Sequence, residues 1–286
     1  MKKLVLGLAA SLALSSAALA DPAMWRVSDA DSEIYLFGSV HVLKPTTQWR
    51  TDALDSALSS ADEIYFELPM TTEAQAASQA LIPQYGLNQP GQPLRGMLST
   101  EENEQLARIA TQYGLPPAQL DPLQPWLVSI SLSMMALQGQ GYDPMSGVEP
   151  TLAGETDDSR ERYFETYADQ FGFFAGLSQD IQVDFLRVTM EQMEENPTAL
   201  DELVDAWEAG DVSALDQIFH DGMRETDQEV YDVLILNRNV NWADQIETLM
   251  AGSGSAVIVV GAGHLVGENG VPNMLTQRGY SVERVQ

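Results

Sequence analysis

The segment Ile34-Tyr35-Leu36-Phe37-Gly38-Ser39-Val40-His41 leads an apolar run into a Gly-x-x-His turn. The same order returns near the other end of the chain, in Ala256-Val257-Ile258-Val259-Val260-Gly261-Ala262-Gly263-His264. Short apolar runs rich in β-branched residues predict buried strands, and glycine lets the backbone turn sharply where a strand leaves a sheet. We therefore predict two strands of one sheet, each of which carries a histidine to the edge of that sheet.

Further strands are predicted on either side of the first Gly-x-x-His turn. Met24 to Val27 and Glu33 to Phe37, joined by a polar turn, predict a β-hairpin. A helix is expected at about residues 49–60, and the run Glu63-Ile64-Tyr65-Phe66-Glu67-Leu68 ends at Pro69. Strand, helix and strand in so short a segment are typical of a βαβ unit, whose strands are parallel.

The middle of the chain is dominated by helical periodicity. Helices are expected at about residues 99–113, 126–137, 177–193, 199–209, 212–223 and 227–250, and a helix and a strand close the chain at 272–278 and 280–285. The fold class predicted is α/β (α+β), with a mixed sheet built from N- and C-terminal strands and a mostly helical middle segment. We expect residues 21–286 to form a single domain, because no linker long enough to divide them is present.

The first twenty residues have the pattern of a secretory signal peptide. Lys2 and Lys3 precede a short apolar stretch, and Ala18-Leu19-Ala20 is a small-x-small cleavage site. Cleavage after Ala20 predicts a periplasmic or secreted protein. No later run is apolar for long enough to span a bilayer, so we expect no stable membrane insertion.

Composition excludes several kinds of chemistry. The 286 residues contain no cysteine, which excludes disulfides, cysteine–zinc sites, iron–sulfur clusters and a cysteine nucleophile. The formal charge of -28 disfavours nucleic acid as a partner, because phosphate binding needs clustered Lys and Arg. Walker loops, dinucleotide fingerprints, His-Glu-x-x-His helices and Gly-x-Ser-x-Gly elbows are absent from the sequence.

Three side chains are predicted to meet beyond the strand ends. Ligands of open α/β sheets bind beyond the carboxyl ends of the strands, where His41, His264 and Glu67 would all lie. Two imidazoles and one carboxylate form a candidate site for a divalent metal ion such as Mn, Co or Zn. The alternative is that each histidine is a turn residue and that Glu67 caps the next segment. The third histidine, His220, is interpreted as a surface residue on an acidic helix.

Arg238 interrupts the apolar face of a predicted helix. A buried guanidinium needs an anionic partner, so Arg238 either reaches the site or packs its stem while its head group reaches solvent. Glu149 and Glu165 are further candidate acids, although a single Glu in so acidic a chain is usually solvated.

At these residues the chain resembles the TraB/GumN family, which includes PrgY-type proteins and the Tiki proteases. The resemblance covers nearly all of residues 21–286. It rests on the following stretches: Tyr35–Leu43, Phe66-Glu67-Leu68, Gly147-Val148-Glu149, Phe164-Glu165-Thr166 with Gln170, Ala206–Asp211, Asn237-Arg238-Asn239 with Trp242, and Val260–Leu265.

The resemblance implies a fold related to the erythromycin-esterase and ChaN-like haem-binding proteins. In the Tiki branch it implies a peptidase that depends on Mn or Co, with His41, His264 and Glu67 at the metal. Glu149, Glu165 and Arg238 correspond by position only, and Phe164 stands where members often have Gly or Leu.

The function predicted is a divalent-metal-dependent hydrolase, specifically a peptidase, acting outside the cytoplasm on a peptide or small-molecule substrate. His41, Glu67 and His264 would hold the metal, and Glu149 would move a proton. Arg238 would orient a substrate carboxylate or stabilise developing negative charge. The alternative is a non-catalytic protein of the same fold that binds a peptide, haem or iron.

Overall fold

The computed structural model describes residues 21–286, and the predicted signal peptide lies outside the described residues. Six strands form one mixed sheet in the order β4-β3-β5-β2-β1-β6. Their bounds are β1 Met24–Ser28, β2 Ser32–Ser39, β3 Glu63–Phe66, β4 Glu161–Tyr163, β5 Gly254–Gly261 and β6 Ser281–Arg284. The prediction of a mixed α/β fold is confirmed, with N- and C-terminal strands supplying five of these six.

The two strands with Gly-x-x-His ends lie side by side at the centre of the sheet. β2 pairs with β5 in parallel, in a register that runs from Ser32 opposite Gly254 to Ser39 opposite Gly261. β5 is buried on both faces from Ala256 onward, as expected of a continuous apolar run in a parallel pair. This register brings the two turns to the same edge of the sheet.

The sheet's other pairings complete the arrangement. β3 pairs in parallel with β5 and with β4, while β1 is antiparallel to both β2 and β6. The βαβ unit therefore has parallel strands as predicted, with β5 inserted between β2 and β3. β4 was not predicted, because a three-residue strand such as Glu161-Arg162-Tyr163 carries too little pattern.

Helices cover both faces of the sheet and form a separate helical layer. Their bounds are α1 Asp52–Ser60, α2 Thr72–Gln79, α3 Ile82–Tyr85, α4 Thr100–Gln112, α5 Pro125–Gly139, α6 Val148–Ala153, α7 Tyr167–Ala175, α8 Gln179–Glu195, α9 Ala199–Glu208, α10 Val212–Asp216, α11 Gly222–Thr226, α12 Gln228–Tyr231, α13 Asn237–Met250 and α14 Val271–Gln277. Two turns of π-helix, Gln217–Asp221 and Asp232–Leu236, interrupt the predicted helices 212–223 and 227–250. Helices also form at α2 and α3, where the sequence has little pattern.

Each face of the sheet has its own core. Trp207 of α9 packs with Phe37 and Trp49 on one face, and its indole nitrogen donates to the Gly38 carbonyl at 2.7 Å. Trp242 and Ile246 of α13 pack on the other face. A third apolar cluster joins α4, α5 and α8 away from the sheet. None of the helices within residues 21–286 is long and apolar enough to cross a membrane.

Candidate metal and catalytic site

The parallel strand ends bring the three predicted donors to one place. His41 follows β2, His264 ends a short helical turn after β5, and Glu67 follows β3. A Cβ built on Gly261 would lie 3.2 Å from Glu67 Oε1, 3.4 Å from His41 Nε2 and 3.6 Å from His264 Cδ2. The absence of a side chain at Gly261 therefore leaves a small space that these three groups border.

His264 is held in one tautomer by Asn239 of α13. The Asn239 side-chain nitrogen donates to the carbonyls of Asn269 at 2.7 Å and of His264 at 3.3 Å, which turns its Oδ1 toward the ring. His264 Nδ1 lies 2.6 Å from that oxygen and must donate to it. Burial and the neighbouring Arg238 guanidinium hold the pKa of His264 well below its usual 6.5. Nε2 therefore carries a lone pair that faces the site.

His41 is oriented by Glu149 of α6. Its Nδ1 donates to Glu149 Oε1 at 2.6 Å, and the Ser39 hydroxyl donates to the same oxygen. A Cβ on Gly147 would lie 2.1 Å from the His41 carbonyl oxygen, so only glycine lets the start of α6 approach this closely. Glu149 is 1% exposed, and its Oε2 is buried without a hydrogen-bond partner among the described residues.

The Glu149 carboxylate changes the protonation of His41. It raises the pKa of His41 to about 9, against a smaller opposing effect of burial. The His41 side chain is 60% exposed, so solvent and ligands have access to the ring. In the metal-free protein near neutral pH, His41 is the protonated histidine of the site and His264 the neutral one.

Arg238 of α13 lies at the centre of the buried charges. Its Nε and Nη2 donate to both oxygens of Glu165 at 2.9 Å, and Nη2 also donates to Glu67 Oε2 at 2.5 Å. Nη1 donates to the Leu234 carbonyl at 3.2 Å and to His264 Nε2 at 2.9 Å. All five N–H donors of the guanidinium thus have partners within the protein. Of the two alternatives for Arg238, the structure supports the one in which its guanidinium reaches the site and is paired with carboxylates.

Glu165 has a larger part in the site than its sequence context indicated. Besides Arg238, it accepts from the Trp242 indole at 3.0 Å and from Gln170 at 3.0 Å. Phe164 stacks on Trp242 with ring centroids 5.5 Å apart, which fixes the start of this segment. The sequence signal was limited to two of the stretches that carry the family resemblance, Phe164-Glu165-Thr166 and Asn237-Arg238-Asn239. Their contact depends on β4, which was not predicted.

Glu67 is ionised despite its burial. Burial alone would raise the pKa of Glu67, but the Arg238 guanidinium, the two neighbouring imidazoles and the Gly261 amide together outweigh burial and hold that pKa well below its ordinary value. The Gly261 amide donates to Glu67 Oε1 at 2.7 Å, and Gln170 donates to Oε2 at 3.1 Å. These contacts fix Oε1 beside the space at Gly261.

The donor chemistry fits a divalent cation, with one condition. Glu67 Oε1, His41 Nε2 and the Cδ2 edge of the His264 ring border one space, and each imidazole has its Nδ1 bonded to an oxygen acceptor, as metal-binding histidines usually do. Within residues 21–286, no three His, Asp or Glu side chains already stand in the geometry of a bound ion. Arg238 would have to release His264 Nε2 for that nitrogen to become a ligand.

The interpretation of His220 as a surface residue is wrong. Its side chain is 1% exposed, with Nδ1 2.6 Å from Asp216 Oδ1 and Nε2 2.9 Å from the Gly263 carbonyl. His220 therefore packs beneath the second Gly-x-x-His turn. The i,i+4 spacing of Asp216 and His220 on a helix was the available signal.

The protein is thus a mixed α/β protein with two histidines and a glutamate beyond its parallel strand ends and a buried arginine of α13 beside them. The TraB/PrgY/gumN family model matches residues 23–284, and the chain belongs to this family. It is similar to the uncharacterized protein YbaP of Escherichia coli (strain K12), at 23% identity over 89% of this chain and 92% of that protein. The YbaP protein of Shigella flexneri is 24% identical over 84% of this chain and 87% of that protein. No solved structure matches the chain, so the relation to ChaN-like folds stays a prediction.

Proposed function

We propose that the protein is a divalent-metal-dependent hydrolase, and specifically a peptidase. The observation that carries this proposal is the space beside Gly261, which Glu67 Oε1, His41 Nε2 and the His264 ring border within 3.6 Å. His41, Glu67 and His264 would hold the cation. When bound, such a cation acidifies water and polarises a carbonyl group, which is the chemistry of amide hydrolysis.

The chain's own residues have distinct roles in this proposal. Glu149 orients His41 through Oε1, and its buried Oε2, which has no hydrogen-bond partner within residues 21–286, is the atom that would hold a proton during the reaction. Asn239 keeps the proton of His264 on Nδ1. We assign Arg238 to holding Glu67 and Glu165 in place, and the Nη1 donor that it must withdraw from His264 when a metal binds is the one that would face a substrate.

The metal content of the purified protein tests the site directly. The protein is stripped with chelator, exposed to Mn, Co or Zn and dialysed, and its bound metal is measured by elemental analysis. We expect stoichiometric metal in the wild type and its loss in His41→Ala, His264→Ala and Glu67→Gln. Glu63→Gln is the matched control, because Glu63 lies on the same strand and pairs with Arg162 at the surface. Equal metal content in all five proteins would contradict the proposed site.

A pool of unstructured peptides tests the activity. We expect new peptide termini by mass spectrometry only with added metal and intact histidines. Capture of peptides without new termini would instead support the non-catalytic alternative. An intense visible absorption band on adding haem would support a haem-binding protein of the same fold.

The proposed location outside the cytoplasm rests on the N-terminal sequence pattern. Lys2, Lys3 and the Ala18-Leu19-Ala20 site support export and cleavage. Terminal sequencing of the protein after expression should give a chain that begins at Asp21. A chain that retains residues 1–20 in the cytoplasm would contradict this location.

A further inference from the structure

An apolar cavity opens directly onto the candidate site. It has a volume of about 310 Å³, and its lining includes His41, Arg238 and His264. A cavity of about 150 Å³ is enough to hold a benzene ring, so this one has room for a large side chain and the backbone next to it. Most of its other lining residues have apolar side chains, among them Val42, Leu137, Phe174, Leu203, Phe219 and Leu234.

A second cavity continues the apolar surface. It has a volume of about 280 Å³ and shares the side chains of Leu200, Leu203, Phe219 and Met223 with the first. An apolar surface that runs from the candidate site past these four side chains suits an extended ligand better than a compact one. A chain molecule with apolar groups at intervals, such as a peptide, has this form.

Part of the cavity wall comes from the two π-helical turns. Phe219 belongs to Gln217–Asp221, while Leu234 and Ile235 belong to Asp232–Leu236. A π-turn carries an extra residue relative to an α-helix, which re-aims the side chains that follow, and such turns are frequent at functional sites. The interruptions of these helices thus coincide with the walls of the cavity.

The cavity lining combines two kinds of chemistry. The imidazoles of His41 and His264 and the guanidinium of Arg238 are its charged or titratable groups, and apolar side chains supply most of the rest. A polar substrate would leave these walls in contact with water, whereas an apolar side chain would bury them at about 25 cal/mol per Å². Small-molecule and substrate sites are commonly apolar pockets with a few convergent polar groups.

We propose that this cavity is the side-chain pocket of the site, and that its ligands are peptides with a large apolar residue such as Leu, Met or Phe next to the reacting bond. The cleavage step in this inference rests on the proposed peptidase function. The preference for a large apolar residue rests on the cavity. The apolar side chain would fill the cavity while the neighbouring amide group lies at His41 and His264.

Peptides that differ only at one position test the substrate class. A cleaved peptide from the pool is resynthesised with Leu, Ala or Asp at the position beside the cut bond, and kcat/KM is measured for each. We expect Leu to exceed Ala by at least about tenfold, because each buried methylene contributes markedly to discrimination, and Asp to be the poorest. Equal kcat/KM for Leu and Ala peptides would overturn the proposal.

Filling the cavity provides the matched test. Leu203→Trp should bring the ratio of kcat/KM for the Leu and Ala peptides close to one. Leu203→Ala should raise kcat/KM for peptides with Trp at that position. Leu87→Trp is the control, since Leu87 is an exposed leucine that lines neither cavity. Thermal melts establish that each variant is folded, and a preference that survives in a folded Leu203→Trp protein refutes the assignment.

Binding separates failure of the inference from failure of the proposed function. The chelated protein is titrated with fluorescent versions of the Leu and Ala peptides, and anisotropy is recorded. Leu-dependent binding without cleavage under any metal would contradict the hydrolase while supporting the pocket. Cleavage with no preference for apolar residues would contradict the pocket while supporting the hydrolase.

Discussion

Replacing Arg238 by Met should be among the most destabilising changes at the sheet edge. The Arg238 side chain is 10% exposed and lies between Glu67 at 7% and Glu165 at 8%. Removing one partner from a buried ion network costs about 3–5 kcal/mol, because the remaining charges stay buried without compensation. A change of 1 kcal/mol shifts the melting temperature of a chain this size by about 2–4 °C, so we expect a fall of about 6–20 °C.

The assay is urea unfolding of the chelated protein near neutral pH, followed by tryptophan fluorescence. Arg108→Met is the matched control, since Arg108 pairs with Glu194 at 3.4 Å with 61% and 41% of the two side chains exposed. Exposed pairs contribute only about 0–1 kcal/mol. Both Met variants remove one positive charge and keep a long apolar stem. The difference between their free energies of unfolding therefore reports the effect of burying the ion pair.

A double variant identifies the partner that is left uncompensated. Adding Glu165→Gln to Arg238→Met removes one of the two stranded carboxylates and should recover part of the lost stability. If Arg238→Met unfolds within about 1 kcal/mol of Arg108→Met, a range expected for exposed pairs, the buried network does not stabilise the fold as described.

Three further outcomes are expected. Gly261→Ala should bind metal at least about tenfold more weakly than the wild type. The φ of −48° at Gly261 suits alanine, but the added methyl would lie 3.2 Å from Glu67 Oε1 and 3.4 Å from His41 Nε2 and fill the space between the donors. Unchanged affinity by calorimetry would contradict the site, and a thermal melt beside Gly96→Ala establishes that the variant is folded. Metal affinity should rise about tenfold per pH unit up to about pH 9, where His41 loses its proton. In Glu149→Gln the affinity should stop rising at a lower pH, because the carboxylate that raises the pKa of His41 is gone. A flat affinity profile argues against His41 as a ligand. The free energy of unfolding of the wild type should exceed that of Glu67→Gln by its full amount above pH 4.5. This difference should shrink as pH falls, because folding lowers the pKa of Glu67. A difference that grows in acid would exclude this linkage.

The central part of the fold was predictable from local patterns. The apolar runs that end in Gly-x-x-His identified β2 and β5, and helical periodicity at about residues 99–113 identified α4. These signals are contained in a few consecutive residues. They can be recognised without knowing which distant segments contact them, since a strand that is apolar on both faces is typical of the centre of a parallel sheet.

The buried charges could not be predicted in the same way. Glu165 and Arg238 are 73 residues apart, and their pairing requires that β4 lie beside β3 and that α13 pack across the sheet. The acidic neighbours of His220 in sequence predicted a surface residue, whereas its ring is buried between one of those acids, Asp216, and the Gly263 carbonyl of the second Gly-x-x-His turn. Burial of a polar residue is decided by tertiary packing, and its sequence neighbours carry little information about it.

The raised pKa of His41 and the proposed cation site have one physical cause. Glu67, Glu149 and Glu165 bring three carboxyl groups to this edge, and in the described part of the chain Arg238 is the one permanently charged cation among their partners. The remaining negative charge favours a proton on His41, which is why its pKa rises toward 9 in the metal-free protein. On the proposed function, a divalent cation would take the place of that proton and compensate the same carboxylates. Proton and metal would then compete for one imidazole, so the feature that keeps the metal-free site stable also sets the pH at which it becomes able to bind an ion.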